Sequence, residues 1–452
     1  MKRGRVVFSV VILLCFLSSM ALANGLNLNS IGTRALAMGG AFVGLADDFS
    51  AIYWNPAGIA HFKQKHFGFY ATDIIPSSTY KLEPDIPGIG TFRLIKADTV
   101  SKHYLSGLAA YYFPVSEKVV AGIGVYIPSG LGASWDGADF AAIANNNPSL
   151  DWRSKIGLIT ISPALAFKVN DNIFVGATLN INYGKFDIAM HGGATDAPLP
   201  VVDLGQYEES MTGWGYGATL GVLVKPTDKL SIGATFRTAS TVKFDGDASL
   251  TGMSDLGLAL GTSLNQTSNL NREVTWPMWF ATGVSFKPIE ELTLTGDVQW
   301  TQWSVIDTLE TNYLDPDWKN MMGASGDDKR PMNWEDALQI RFGAEYRIKN
   351  FAFRGGYYID PSPAPAQTMN VLLPNYDFNV VTIGFGYALN GIQFDFGLEY
   401  LMGKERSVPF DVVPIATLPY FEIQMPSGFE TAMPGTYTMK IIVPTLSVSY
   451  RF

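Results

Sequence analysis

Leu292-Thr293-Leu294-Thr295-Gly296-Asp297-Val298-Gln299-Trp300 decides the fold, because its even positions are apolar except for Gly296 while its odd positions are polar. A period of two places alternate side chains on opposite faces of an extended chain, so one face is dry and the other wet. The alternation returns over 392–400, where Asp395 and Glu399 join the polar face. It returns again over 338–348, where Gln339, Arg341, Glu345 and Arg347 oppose Ile340, Phe342 and Tyr346. Stretches such as 172–190 and 211–225 run well beyond the five or six residues of an ordinary soluble strand. They suit tilted membrane spans of about 9–11 residues with extensions outside the bilayer.

Working outward, the spacing predicts strands near 65–75, 102–114, 117–128, 152–168, 172–190, 207–225, 229–244, 272–287, 291–306, 333–348, 351–359, 376–389, 391–404 and 436–452. That is about fourteen, and bacterial barrels have even strand numbers. The connections alternate as well. Those at 114–117, 170–172, 226–229, 288–291, 349–350 and 390–391 are tight and rich in Asn, Asp, Gly and Pro, the chemistry of short turns. Those at 76–101, 129–151, 245–271, 307–332 and 405–435 are long. Short periplasmic turns opposed to long extracellular loops mark an outer-membrane barrel. The expected fold class is therefore all-β, a transmembrane antiparallel β-barrel of about 14 strands over 65–452. Pro163 and Pro444 fall inside strand-like runs and are expected at bulges or rims, since each removes a ladder donor.

The first residues set the compartment. Lys2, Arg3 and Arg5 precede an apolar run over 6–17, and Ala21-Leu22-Ala23 supplies a small-residue cleavage pattern. The run is too short to span a bilayer as a helix, so 1–23 reads as a signal peptide. Cys15 follows Leu14 rather than a small residue, which argues against a lipid-bearing cysteine. Cys15 is the chain's single cysteine, so disulfide stapling plays no part in the expected mature protein. Loss of the three leader cations moves the formal charge from −9 to −12, which excludes nucleic acid as a partner by lack of a basic footprint. Charged residues are 16% of the chain, against about 25% in ordinary domains. Beyond the leader no apolar run is long enough for a membrane helix. The membrane architecture left is a closed barrel, which pairs every backbone group between strands. The last strand ends on Phe452, with Leu446, Val448 and Tyr450 on the same face, similar to the signal read by barrel-assembly machinery.

Residues 24–64 carry no strand pattern. Gly25, Gly32, Gly39, Gly40, Gly44 and Gly58 alternate with Leu26, Leu28, Ile31, Leu36, Phe42, Tyr53 and Trp54, too apolar for a disordered leader. The expectation is a plug, or hatch, inside the lumen. Asn29-Ser30-Ile31, Ala46-Asp47-Asp48-Phe49-Ser50-Ala51 and Asn55-Pro56-Ala57-Gly58 resemble the hatch of the FadL family of outer-membrane transporters. The resemblance continues in order through Gly130-Leu131, Trp135, Trp276-Pro277-Met278-Trp279 and Asp360-Pro361-Ser362-Pro363-Ala364-Pro365-Ala366-Gln367. It implies passive transport of long-chain fatty acids, or in some branches hydrocarbons. The implied route is capture among extracellular loops, a lumen pocket, a hatch shift and lateral exit near the third strand into outer-membrane lipid beneath lipopolysaccharide. No cofactor or metal is implied.

Candidate residues follow. In the hatch, Asp47, Asp48, Asn55 and Pro56 are expected to serve turns more than ligand. Pro128, Ser129 and Gly130 interrupt the third strand and are candidates for the lateral gate, with a simple strand end as the alternative. In the apolar loop 253–260, Leu256, Leu258 and Leu260 are candidates for ligand capture, with a rim-covering helix as the alternative. The lumen-facing Arg237, Arg341, Arg347 and Arg354 could hold a carboxylate, or pair with Glu345, Asp395 and Glu399. The family's cation positions fall here at Met190-His191 and Leu309-Glu310, which puts the fatty acid in question and keeps hydrocarbon uptake as the alternative. His61, His66, His103 and His191 lie in no hydrolase or metal motif, so an outer-membrane lipid-modifying enzyme has no motif behind it. A general porin would have more strands and an open lumen.

Overall fold

A computed structural model describes residues 25–452, apart from positions 87, 89, 101, 196–198, 415–420 and 430. The signal peptide read at 1–23 lies outside the described residues. The chain forms a closed antiparallel barrel of fourteen strands. These are β1 (His66–Leu82), β2 (Tyr104–Pro114), β3 (Val119–Trp135), β4 (Trp152–Lys168), β5 (Ile173–His191), β6 (Gln206–Thr227) and β7 (Leu230–Arg237, resuming at Ser240–Leu250). They continue as β8 (Thr267–Trp276, resuming at Trp279–Ile289), β9 (Leu292–Thr301), β10 (Ala337–Ile348), β11 (Phe351–Asp360), β12 (Phe378–Leu389), β13 (Ile392–Gly403) and β14 (Gly435–Arg451). Each pairs with the next. The ring closes where β14 lies against β1, from His66↔Arg451 to Lys81↔Thr436. Closure leaves no free sheet edge, the condition a strand protein must meet in lipid.

The period-two reading sets the faces correctly. Leu294 and Val298 are exposed on β9, while Thr293, Thr295, Asp297 and Gln299 are buried. On β13, Phe394, Phe396 and Leu398 face out, and Asp395 and Glu399 face in. Aromatic and branched side chains line the outside of nearly every strand, as lipid contact requires.

Two expectations need correction. Pro163 and Pro444 sit within strands opposite Ile123 and Leu398, and the register on either side is unchanged. Each proline interrupts the ladder on its other side for two residue pairs and makes no bulge. Also, β1 and β3 run on to Leu82 and Trp135, well past the ends near 75 and 128 read from the sequence. Pairing continues into the extracellular extensions, where no bilayer sets the strand length.

The N-terminal segment 25–62 packs inside this ring. It contains α1 (Thr33–Ala37), α2 (Ala51–Trp54) and a 3₁₀ turn at Pro56–His61, and nearly all of it is buried. Small wall residues make the room. A Cβ at Gly176, Gly221, Gly233, Gly343 or Gly356 would collide with the segment's backbone or with Asn55. Close approach of two backbones is what glycine permits in a strand interior.

Candidate functional site

The lumen has two zones. Near the tight-turn end, charged wall residues meet the segment. Arg34 Nε donates to Glu345 at 2.8 Å and its Nη1 pairs with Asp47. Glu345 also accepts from Arg354 Nε at 2.6 Å and Arg347 Nε at 2.8 Å, while Arg354 Nη1 reaches Asp395 at 2.7 Å. The network is fully interlocked, the arrangement in which buried charge is tolerated. Toward the long-loop end the interior is apolar, with Trp135, Phe140, Trp152, Phe186, Phe244, Trp276 and Trp303 in one continuous cluster. The loop 361–377 folds inward against it. Trp135 Nε1 donates to Val371 O at 2.9 Å, and Thr368 Oγ1 to Met332 O at 2.7 Å.

At the third strand the wall itself changes. The β2–β3 ladder ends at Leu108↔Tyr126, and the β3–β4 register slips between Tyr126 and Ser129. The proline at 128 cannot donate to a ladder, which is the reason a bulge settles there. A strand has two edges, and β4 holds one of them. On the other, Leu28 N donates to Pro128 O at 2.9 Å and Gly130 N donates to Leu26 O at 3.1 Å. The Ser129 hydroxyl donates to Leu26 O at 2.6 Å and accepts from Trp276 Nε1 at 2.8 Å. Residues 26–28 thus occupy the hydrogen-bonding positions that β2 vacates.

These residues divide two cavities. One, of about 110 Å³, lies between the segment, β1, β13 and β14 and reaches Gly130. The other, of about 40 Å³, is walled by Pro128, Leu158, Arg237, Trp276 and Trp279. A third cavity of about 600 Å³ opens among Arg272, Glu273, Glu310, Lys319, Asp328 and Lys329. Its polar, charged lining is unsuited to a hydrophobic ligand.

The expected site residues fall out as follows. Asp47 pairs with Arg34 and Asp48 accepts from Ser50 N and Oγ at 2.8 and 2.6 Å. Asn55 Nδ2 donates to Val43 O and Val222 O, both at 3.0 Å, and its Oδ1 caps the turn that Pro56 opens by accepting from Ala57 N at 3.1 Å. All four serve local structure and the contact with the wall. Pro128, Ser129 and Gly130 lie at the bulge rather than at a strand end. Leu256, Leu258 and Leu260 belong to a short helix, α3 (Met253–Leu260), which splits them: Leu256 is 1% exposed, Leu258 78% and Leu260 44%. Of the four arginines, Arg347 and Arg354 pair with Glu345 as expected. Arg341 instead donates to Gln339 Oε1 at 2.8 Å and Gly39 O at 3.3 Å. Glu399 takes a Tyr358 hydroxyl at 2.6 Å rather than an arginine. Arg237 donates to Thr219 and to Tyr53 O, and its guanidinium lies between Tyr53 and Trp279, 4.6 and 4.9 Å from the ring centroids. His191 Nε2 meets Asp203 at 2.7 Å, where the resemblance had looked for a ligand-holding cation. Sequence reasoning missed Asn27, Leu28, Asp360 and Asn375 as cavity residues, because nothing local marks a residue brought to a lumen by closure of the ring.

Comparison with known proteins agrees with this geometry. Residues 14–452 match the family described as outer membrane protein transport protein (OMPP1/FadL/TodX). A long-chain fatty acid transport protein of Escherichia coli O6:H1 is 24% identical, over 88% of this chain and 91% of its own length. Its Salmonella typhi counterpart is 23% identical over 88% and 92%. Among solved structures, a Pseudomonas aeruginosa FadL homologue superposes with a TM-score of 0.73 at 18% identity, covering 95% of this chain and all of the other. The toluene transporter TodX of P. putida gives 0.72 at 15% identity, covering 94% and 99%. A closed fourteen-stranded barrel, apolar outside and occupied by its own N-terminal segment, matched in family over residues 14–452, is a transporter rather than an enzyme: the chain belongs to the FadL/TodX family of Gram-negative outer-membrane transport proteins.

Proposed function

We propose that the protein carries hydrophobic small molecules, long-chain fatty acids among them, passively across the outer membrane and releases them sideways at the third strand. The observation that carries this reading is the end of the β2–β3 ladder at Tyr126, with residues 26–28 hydrogen-bonded in its place. In this reading the N-terminal segment is the hatch, with 24–64 as its bounds, and its first residues are the moving part. Few bonds need to break there, whereas the Arg34–Glu345 network anchors the rest. Leu258 and Leu260 offer the exposed apolar surface for capture, and the apolar cluster beneath them leads inward. A fatty-acid carboxylate finds its cation in Arg237, which has no carboxylate partner among the described residues and walls the smaller cavity beside the bulge. Hydrocarbon uptake is favoured by a different observation: Arg347 and Arg354 are both held by Glu345, so much of the lumen's positive charge is already met.

A cysteine pair tests the exit. Asn27 and Ser129 form an antiparallel bridge, a spacing within disulfide reach, and the expected mature chain is free of cysteine. Asn27→Cys with Ser129→Cys, oxidised, is expected to stop uptake of radiolabelled palmitate and toluene, and reduction to restore it. Uptake at the unmodified rate by the oxidised protein refutes a gate at this strand. In the same assay Arg237→Gln separates the cargoes, with palmitate affinity falling about ten-fold or more and toluene unaffected if the arginine holds a carboxylate.

A further inference from the structure

The cavity of about 110 Å³ has walls of two kinds. Phe378, Leu401, Met439, Ile441 and Val443 make one side apolar. On the other stand Asn29, Ser30, Asp360, Asn375 and Glu399, and none of its described lining residues is basic. Asp360 accepts from Asn29 Nδ2 and Gln339 Nε2, each at 2.6 Å. Glu399 Oε1 accepts from the Tyr358 hydroxyl at 2.6 Å and the Ser30 hydroxyl at 3.4 Å. Asn375 is only 4% exposed, yet its Nδ2 has no hydrogen-bond partner among the described residues. A buried donor left unpaired is costly, and in a native fold it calls for an explanation.

Each class of cargo can be weighed against these groups. A carboxylate head would enter a cavity with two carboxyl groups and no cation, so it is excluded. A pure hydrocarbon fills the apolar side and leaves the Asn375 donor unmet. A hydroxyl meets both needs: its oxygen accepts from Asn375 Nδ2, and its hydrogen is offered to a carboxyl oxygen. The volume is of the same order as the roughly 150 Å³ of an apolar protein cavity that holds benzene. We propose that this cavity binds a small, uncharged aromatic molecule carrying one hydroxyl group, of the phenol class, on its way to the third strand. This inference rests on the transport reading and adds a second cargo to it. Residues 26–28 separate an arginine-walled cavity suited to acids from a carboxyl-bearing cavity suited to neutral hydroxylated rings.

The test is equilibrium binding of tritiated p-cresol, toluene, 4-fluorotoluene and palmitate to the folded full-length barrel in detergent. The protein is expected to bind p-cresol about three- to ten-fold more tightly than 4-fluorotoluene, which has a similar size and no donor. Asn375→Leu is expected to cut that preference by about half or more, because the bond to a carboxyl oxygen remains, while leaving toluene and palmitate within two-fold. Equal affinity for p-cresol and 4-fluorotoluene in the unmodified protein overturns the assignment, with no variant needed. A preference that Asn375→Leu leaves undiminished overturns it as well. If palmitate or toluene binds and p-cresol gains nothing, this inference alone falls; if no ligand binds the folded barrel, the transport reading falls and takes it along.

Discussion

Replacing Ser129 by alanine loosens the contact between the N-terminal segment and the third strand, and its effect can be worked from the geometry. The hydroxyl makes two bonds, to Leu26 O at 2.6 Å and from Trp276 Nε1 at 2.8 Å. Ser129 and Trp276 are both buried. Without the hydroxyl, Trp276 Nε1 loses its acceptor, and a buried donor left unmet costs about 1–3 kcal/mol. Leu26 O keeps the bond from Gly130 N at 3.1 Å, so its loss lies at the low end of that range. Release of residues 26–28 admits water to the orphaned Trp276 Nε1 and recovers its cost, so the two together favour release by about 2 kcal/mol, which raises the released population about thirty-fold. Hydrogen exchange on the folded barrel reads this directly, because the Leu28 amide donates to Pro128 O at 2.9 Å and is expected to lose protection by that factor. Trp276→Phe removes the same donor, so Ser129→Ala added to it is expected to cost only the remaining Leu26 share. Unchanged protection at Leu28 refutes the latch. Lost protection with unchanged uptake of palmitate and toluene refutes its role in release.

Arg34→Met removes the segment's bond to Glu345 but leaves that carboxylate with Arg354 and Arg347, and it leaves Asp47, whose side chain is 31% exposed, to water. The loss is therefore expected at about 3 kcal/mol, the low end for breaking a buried pair, read as a lower urea midpoint and a higher ion conductance in planar bilayers. His61 lies in the turn before the first strand, where burial, and then Lys225, push its imidazole down to about 4 from 6.5. Its folded pKa is depressed, so the unfolded chain takes up the proton first. Stability is expected in full above about pH 6.5 and lost by at most about 3 kcal/mol as pH falls toward 4; His61→Gln should flatten that limb of the urea-midpoint profile. Leu258→Ser with Leu260→Ser is expected to weaken ligand capture with folding unchanged, whereas Leu256→Ser should unfold the helix cap. Equal capture by the double variant removes these leucines from the route.

Much of the fold was legible in the sequence. Lipid on one side of a wall and water or polar groups on the other impose a period of two, and 292–300 and 392–400 carry it with only Gly296 and Gly397 out of pattern. The tight turns at 349–350 and 390–391 show how short connections announce themselves, since they need residues such as Asn390 and Gly391, both at positive φ. Strand ends in the extracellular half were not legible, because Leu82 and Trp135 extend ladders where no bilayer sets their length. The roles of single residues were harder still. Leu256 and Leu258 are two positions apart and equally apolar, yet a helix turns one into the core and the other into solvent.

The sequence by itself determined the membrane, the strand number, the sorting of loops and the presence of a segment too apolar to stay outside. These depend on local pattern and composition, which closure does not alter. Only the tertiary structure decided that Leu26 and Leu28 stand in for β2 at the third strand, that Arg354 and Glu345 are bound together while Arg237 meets no carboxylate among the described residues, and that Asn375 meets Asp360 and Glu399 around one cavity. Residues from both ends of the chain and its middle face one another across a lumen because the ring closes between β1 and β14. The hydrogen bonds and charges that matter there are set by distances across that ring, which no local pattern encodes.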